Sequence, residues 1–283
     1  MSKQRILISG ASTGIGFATA VELAAKGHEV YAGVRKASDG ERLQKANSQI
    51  RTLILDVTVP ESVDAAVARV RADSVTESRA RLVLINNAGI AVAGPIECLP
   101  LAEFRKQFEV NVFGLIDMTQ KFLPLIRETG GRIVNISSIS GRLAAPFLGP
   151  YSASKFAVEG LTDSLRRELA PQGISVSLIE PGPIRTPIWE KGLSGKDDLL
   201  AQIPTERLGI YETRLRKFVE YTAKTAASAD PVEVVVRAIE HAAFAKKPRA
   251  RYFVGGQSKA GNIVSRLPTG WVDGLIRLSA RGL

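Results

Sequence analysis

Arg5-Ile-Leu-Ile-Ser9 runs straight into Gly10-Ala-Ser-Thr-Gly14-Ile-Gly16, and this junction decides the fold. A short apolar run that ends in glycines reads as a strand. The amphipathic residues 17–26 that follow read as a helix closed by Gly27. Between a first strand and a helix, a glycine-rich turn presents backbone N–H groups and a helix N-terminus to a phosphate. The spacing is G-x-x-x-G-x-G rather than G-x-G-x-x-G, since counting from Gly14 puts Thr19 at the third position. Glycines also make ordinary tight turns. Placement after the first strand of an alternating chain favours phosphate binding.

Outward from this turn, strands are expected at 28–35, 52–55, 82–85, 132–136, 174–179 and 251–254. Helices are expected from Pro60, with Val63, Val67 and Val70 on the buried face, and at 151–169 and 231–245. A long helix over 101–126 carries Phe104, Phe108, Val112 and Leu115 and tolerates Pro124 near its end. Residues 187–228 read as a less regular substrate-loop region. The alternation predicts a single doubly wound α/β domain over 1–260, with a mostly parallel sheet of about seven strands and helices on both faces. Residues 261–283 are expected to form a basic amphipathic tail.

Of 283 residues, 45% are apolar and 23% charged, as in soluble globular chains. Net charge is +10, but from Arg237 onward there are nine Lys/Arg against two acids, so the excess belongs to the tail. A nucleic-acid partner would call for a basic patch on the core domain with interleaved aromatics, and none is expected. The single cysteine, Cys98, excludes an internal disulfide framework, and no export signal opens the chain; a cytoplasmic location is expected. His28 and His241 have no metal-ligand partners in sequence, so no metal is expected.

The chemistry centres on Tyr151-Ser-Ala-Ser-Lys155. A tyrosine and a lysine four apart share one face of a helix, and a nearby ammonium favours phenolate over phenol. The pair can give a proton to an alcohol oxygen or take one from it. Ser138, just past a strand, can hydrogen-bond the same oxygen. At the end of the second strand, about 20 residues beyond the glycines, an acid would bind a free ribose 2′-hydroxyl. The chain has Gly33-Val34-Arg35-Lys36 there, and a guanidinium suits a 2′-phosphate. NADP(H) is therefore favoured, with NAD(H) the alternative; Asp39 lies too far into the loop, and Arg35 as a solvated charge is the bland reading.

Together these pieces resemble the short-chain dehydrogenase/reductase family, in the family's order and spacing and over nearly the whole chain to Val254. The likeness rests on Gly10-x-x-x-Gly14-x-Gly16, Asn86-Asn87-Ala88-Gly89, Asn111, Ser138, Tyr151-x-x-x-Lys155 and Pro181-Gly182. Val30-Tyr-Ala-Gly-Val-Arg35, Tyr151-Ser-Ala-Ser-Lys-Phe-Ala-Val-Glu-Gly160, Ser177-Leu-Ile-Glu-Pro-Gly182 and Lys247-Pro-Arg-Ala-Arg-Tyr-Phe253 look most like the branch of 17β-hydroxysteroid dehydrogenase type 1 and the retinol dehydrogenases.

The resemblance implies a Rossmann fold and interconversion of a lipophilic alcohol (steroid-, retinoid- or lipid-like) with its ketone or aldehyde. It implies Tyr151 as general acid/base, Lys155 lowering the tyrosine's pKa and holding the nicotinamide ribose, and Ser138 polarising the substrate oxygen. Asn111 would hold a water linking Lys155 to solvent. Gly10, Ser12, Thr13, Gly14, Ile15 and Gly16 would pack on the pyrophosphate, and Asp56 and Val57 would touch the adenine. Asn87, Ala88 and Gly89 would support the adenine-ribose side; Pro181, Gly182, Ile184 and Thr186 would fix the nicotinamide face. Ser9 stands where threonine is commoner. A homodimer or homotetramer through the helices at 101–126 and 151–170 is implied as well. The alternative from another class is a dinucleotide-binding sensor without catalysis.

Substrate walls are expected from Leu143, Phe147, Leu148, Ile188 and Trp189 and from residues 190–225. In the tail, Trp271, Val272, Leu275, Ile276 and Leu278 recur at near-helical spacing beside Arg277 and Arg281. That pattern fits peripheral membrane contact, packing on the chain's own domain, or a partner subunit.

Overall fold

The glycine junction folds as its pattern requires. In the computed structural model, which describes residues 3–76, 80–188 and 205–279, β1 (Arg5–Ile8) leads through the turn into α1 (Gly14–Ala25). There follow β2 (Glu29–Val34), α2 (Ala37–Ala46), β3 (Arg51–Ile54), α3 (Pro60–Thr76) and β4 (Leu82–Asn86). Next come α4 (Leu101–Phe108), a π turn (Glu109–Phe113), α5 (Gly114–Thr129), β5 (Arg132–Ile136), α6 (Gly149–Leu169) and β6 (Ser175–Pro181). The chain continues with α7 (Thr205–Ala227), α8 (Glu233–Phe244), β7 (Arg251–Val254), α9 (Gly256–Val264) and α10 (Thr269–Ser279).

Seven strands pair in the order β3-β2-β1-β4-β5-β6-β7, all parallel. The order reverses between β1 and β4. In such sheets, ligands bind at the carboxyl ends of the strands beside that reversal. Period two sends Ile6 and Ile8 to a core with Leu23, Val30 and Ile239, and Leu7 to the opposite core with Val63, Val70 and Phe122. Residues 28–35 were expected to alternate. Instead every residue of β2 is buried, because a parallel strand is covered on both faces.

Four features differ from the sequence reading. The sequence reading placed nothing between β2 and β3, where α2 buries only Gly40 and Leu43 of its ten residues and so shows almost no apolar stripe. The long helix over 101–126 is divided by the π turn into α4 and α5, and its carboxyl end closes on Gly130 in the left-handed conformation (φ 61°). Within 187–228, residues 205–227 are a regular helix, α7, whose charged sequence masks its spacing. Beyond Gly255 the chain is helical, and a division at 260/261 falls inside α9. There Ser258 Oγ donates to the Glu180 carbonyl at 2.6 Å, and Gly261 is buried against Ile139. No helix among the described residues is long and apolar enough to cross a membrane.

Candidate active site

Close backbone approaches build the phosphate loop. Gly10 and Gly14 have φ of +66° and +60°, a region that side chains strain. A Cβ on Gly10 would stand 2.7 Å from Ala88 Cα, one on Gly14 3.2 Å from Thr186, and one on Gly16 2.5 Å from the Gly10 carbonyl oxygen. The glycines thus bring together three stretches that are far apart in sequence: the loop itself, Asn87–Gly89 at the end of β4, and the turn after β6. Ser9 Oγ accepts the backbone N–H groups of Asn87 and Ala88 at 3.1 and 3.0 Å. Asn87 Nδ2 donates to the carbonyls of Ser9 and Gly10 at 3.0 and 2.9 Å.

These residues fit a dinucleotide. Thr13 makes no side-chain cap at the start of α1 and no acid lies in its first turn, so free N–H groups and the positive helix end face the loop. Arg35 is exposed just past β2. Asp39, set aside from the ribose in the sequence reading, pairs instead with Arg42 at 3.0 Å. Arg42, which the sequence reading missed, also donates to the Ser12 carbonyl and lies 5.9 Å from the Phe17 ring centroid. The Asp56 carboxylate accepts the Thr58 N–H and hydroxyl at 3.0 and 2.7 Å, while Val57 is buried under Gly114 of α5.

The catalytic candidates converge at the carboxyl end of β5. Ser138 Oγ accepts the Ser140 N–H at 3.1 Å and its hydroxyl hydrogen-bonds the Tyr151 phenol. Tyr151 and Lys155, one turn apart on α6, are both buried. Lys155 Nζ donates to the Ile136 carbonyl at 2.9 Å and stands 5.8 Å from the Tyr151 ring centroid. Burial pushes the phenol above its ordinary range, opposed by the Ser138 hydrogen bond. Burial also pushes Lys155 down to about 8, opposed by Glu159. The net shift of the phenol is upward, with burial its largest cause, and the Lys155 ammonium is directed at a backbone carbonyl.

Asn111 is buried in the π turn, a distortion common at functional sites. Its Oδ1 accepts the Ile90 N–H at 2.9 Å, and Nδ2 donates to Ile90 O and Ser154 Oγ, each at 3.1 Å. Both ends of the amide are engaged with protein groups. Gln107, one turn earlier, was not foreseen. It accepts the Val92 N–H at 2.7 Å and donates to Ile90 O at 2.8 Å, fixing the loop after β4.

A cavity of about 320 Å³ lies over Tyr151, Ser138 and Lys155. Ile15, Asn87, Gly89, Pro181, Gly182, Ile184 and Thr186 line its cofactor side, and Leu143, Leu148 and Ile188 line it as expected. Phe218 and Tyr221 of α7 line it from within the expected segment 190–225, and two further walls were not foreseen: Gln257 of α9 and Ile276 of α10. Phe147 is a correction. It does not line the cavity but packs on Tyr211 and Phe218, with ring centroids 6.4 and 5.4 Å away, and braces α7 from a left-handed conformation (φ 65°). Trp189 lies outside the described residues.

Comparison with known proteins agrees with this geometry. Residues 4–197 match the family described as short chain dehydrogenase. The chain is 41% identical over 254 residues to the NADPH-dependent 3-dehydrocapnine reductase of Ornithobacterium rhinotracheale, covering 88% of this chain and 87% of that protein. It is 35% identical over 274 residues to the 3-amino-tetrahydro-pyrrolizinone reductase of Xenorhabdus hominickii, covering 95% and 93%. The crystal structure of a short chain dehydrogenase from Burkholderia cenocepacia J2315 in complex with NADP superposes with a TM-score of 0.74 at 25% identity, covering 97% of this chain and 98% of that one. With its glycine cradle, its buried tyrosine and lysine and its seven parallel strands, this chain belongs to the short-chain dehydrogenase/reductase family of oxidoreductases.

Proposed function

We infer that the protein is an NADP(H)-dependent reductase that converts a lipophilic ketone or aldehyde to its alcohol, with Tyr151 as proton donor. The observation that carries this reading is the Ser138–Tyr151–Lys155 group, which lies at the floor of a largely apolar cavity beside a glycine cradle. NADPH, when bound, supplies the hydride to the carbonyl carbon. Every other contribution comes from the chain. The buried phenol stays protonated at neutral pH and hands its proton from Oη to the carbonyl oxygen as that oxygen gains charge. Ser138 donates a second hydrogen bond to the same oxygen, and the Lys155 ammonium stabilises the resulting phenolate. Leu143, Leu148, Phe218 and Ile276 exclude water from the reacting atoms.

Exposed Arg35 supports the phosphate preference, and the names of both curated relatives support the direction of reduction. Exposed Leu101, Phe113, Phe156 and Leu161 on α4, the π turn and α6 support self-association through those helices. On α10, Trp271, Leu275 and Leu278 are exposed beside Arg277 while Ile276 faces the cavity, an arrangement that supports peripheral contact with an anionic lipid surface. Binding to anionic vesicles that is lost on deleting residues 269–283 tests that contact.

The deciding experiment is a fluorescence titration with NADPH and with NADH, followed by turnover of steroid, retinoid and medium-chain carbonyls. Tighter NADPH binding and turnover of a lipophilic carbonyl are expected. In Tyr151→Phe, turnover should fall by about 10²–10⁴-fold with NADPH affinity retained. Full activity in that variant would overturn the assignment, and tight NADPH binding without any turnover across the panel would favour a sensor.

A further inference from the structure

Behind the catalytic helix lies a buried ion cluster that the proton-transfer step leaves unused. Glu159 follows Lys155 by one turn on the same face of α6. It is 7% exposed, and Glu180, near the end of β6, is 0% exposed. Arg251 of β7 donates to Glu159 Oε2, to Glu180 Oε1 at 2.9 Å and to Asp163 at 2.9 Å. Arg142, four residues past Ser138, donates to Glu180 Oε2 at 2.9 Å and lies 3.9 Å from Glu159 Oε2. The chain between Ser138 and Arg142 rests directly on this turn of α6. A Cβ on Gly141 would stand 2.9 Å from Glu159 Cγ and 3.0 Å from the Lys155 carbonyl oxygen.

Two buried carboxylates, Glu159 and Glu180, share two guanidiniums here, while Asp163 at the edge of the cluster also pairs with Arg166 at 2.8 Å. Both guanidiniums meet Glu159 at Oε2; Oε1 receives neither, and the carboxylate also takes a hydrogen bond from the Ser137 hydroxyl. The Lys155 ammonium, buried and bonded to the Ile136 carbonyl, needs a counter-charge to stay ionised. We propose that Glu159 is that counter-charge, a positioning residue that keeps Lys155 protonated and is clamped in place by Arg142 and Arg251, which Glu180 anchors from β6. The charged and titratable groups facing Glu159 are Lys155 and Asp163 on its own helix, Arg142 from the segment after Ser138, Glu180 from β6 and Arg251 from β7. Lys155 itself faces Tyr151 and Glu159.

The electrostatics point the same way. Glu159 opposes the burial that lowers Lys155 to about 8, and burial with the Glu159 charge pushes Glu180 up to about 7. Neutralising Glu159 therefore moves the Lys155 titration to lower pH, and the ammonium is lost earlier as pH rises. Given the role read for Lys155 above, the alkaline limb of kcat/KM should move with it.

The test reads Lys155 directly, by NMR of protein labelled with [ε-13C]lysine, with the resonance assigned by its absence in Lys155→Met. In Glu159→Gln the midpoint should fall by about one pH unit and the alkaline limb of carbonyl reduction with it. Glu159→Asp should restore most of the shift, and Asp163→Asn, one turn further on, should leave the midpoint in place. If Glu159→Gln fails to fold, Glu159→Met, which removes the charge and keeps the volume, serves instead, with the same downward shift expected. An unchanged midpoint, or an equal shift in Asp163→Asn, would overturn the proposal. A shifted midpoint in a protein that reduces no carbonyl would support the electrostatic role and count against the catalytic reading instead.

Discussion

Arg35 and the three loop glycines show what a single residue decides. Arg35 stands at the carboxyl end of β2, where the ribose 2′-position of a dinucleotide is read, and it is exposed to receive a phosphate. Arg35→Asp is expected to weaken NADPH binding by at least about tenfold while leaving NADH near its original affinity, because it exchanges attraction for repulsion at one group. Paired Kd values measure this, and an unchanged ratio would remove Arg35 from the site. The positions of the glycines and of Arg35 were legible in sequence, because each lies at a fixed distance from a strand end. Arg42 was not, because its link to Ser12 forms only once α2 folds back over the loop. The burial that raises the Tyr151 phenol was likewise not legible, because only the packed structure sets it.

Among the elements, α7 was the one its own spacing hid best. It is 23 residues long and highly charged, yet it buries Phe218 against Phe147 and presents Phe218, Tyr221 and Thr225 to the cavity. Phe218→Ala removes the ring that joins α7 to Phe147. The expected result is a several-fold rise in KM for bulky carbonyls with NADPH affinity unchanged, and faster proteolysis within α7. An unchanged KM across the substrate panel would show that α7 does not shape the pocket. The π turn teaches a related lesson. The periodicity of residues 101–126 reads as one helix, but Gln107 and Asn111 both turn to the loop at 90–92, and the backbone accommodates them with an extra residue in the turn. A local repeat cannot report a distortion imposed by a partner loop.

At the scale of the whole molecule, the end of the sheet away from the site is held by charge. Glu29 on β2 accepts from Arg5 at 3.3 Å, Arg51 at 2.7 Å and the Tyr31 hydroxyl at 2.8 Å, with Arg5 almost fully buried. Glu29→Ala removes the carboxylate that Arg5, Arg51 and Tyr31 share and should cost about 3–5 kcal/mol in urea unfolding. In the folded fraction, kcat and NADPH affinity should be retained, since the cluster sits at the opposite end of the strands from the loops that form the site. A loss below about 1 kcal/mol would show that water replaces the carboxylate. The sequence alone determined the alternating strands and helices, the phosphate turn and the tyrosine–lysine pair, because each depends on short-range periodicity or on residue type at a fixed offset. Tertiary structure alone decided that α9 and α10 wall the cavity, that Phe147 braces rather than lines it, and that Glu159, Glu180, Arg142 and Arg251 form one buried cluster. Those outcomes arise from side chains tens to a hundred residues apart meeting in a low-dielectric interior, where burial and counter-charge are set by the fold.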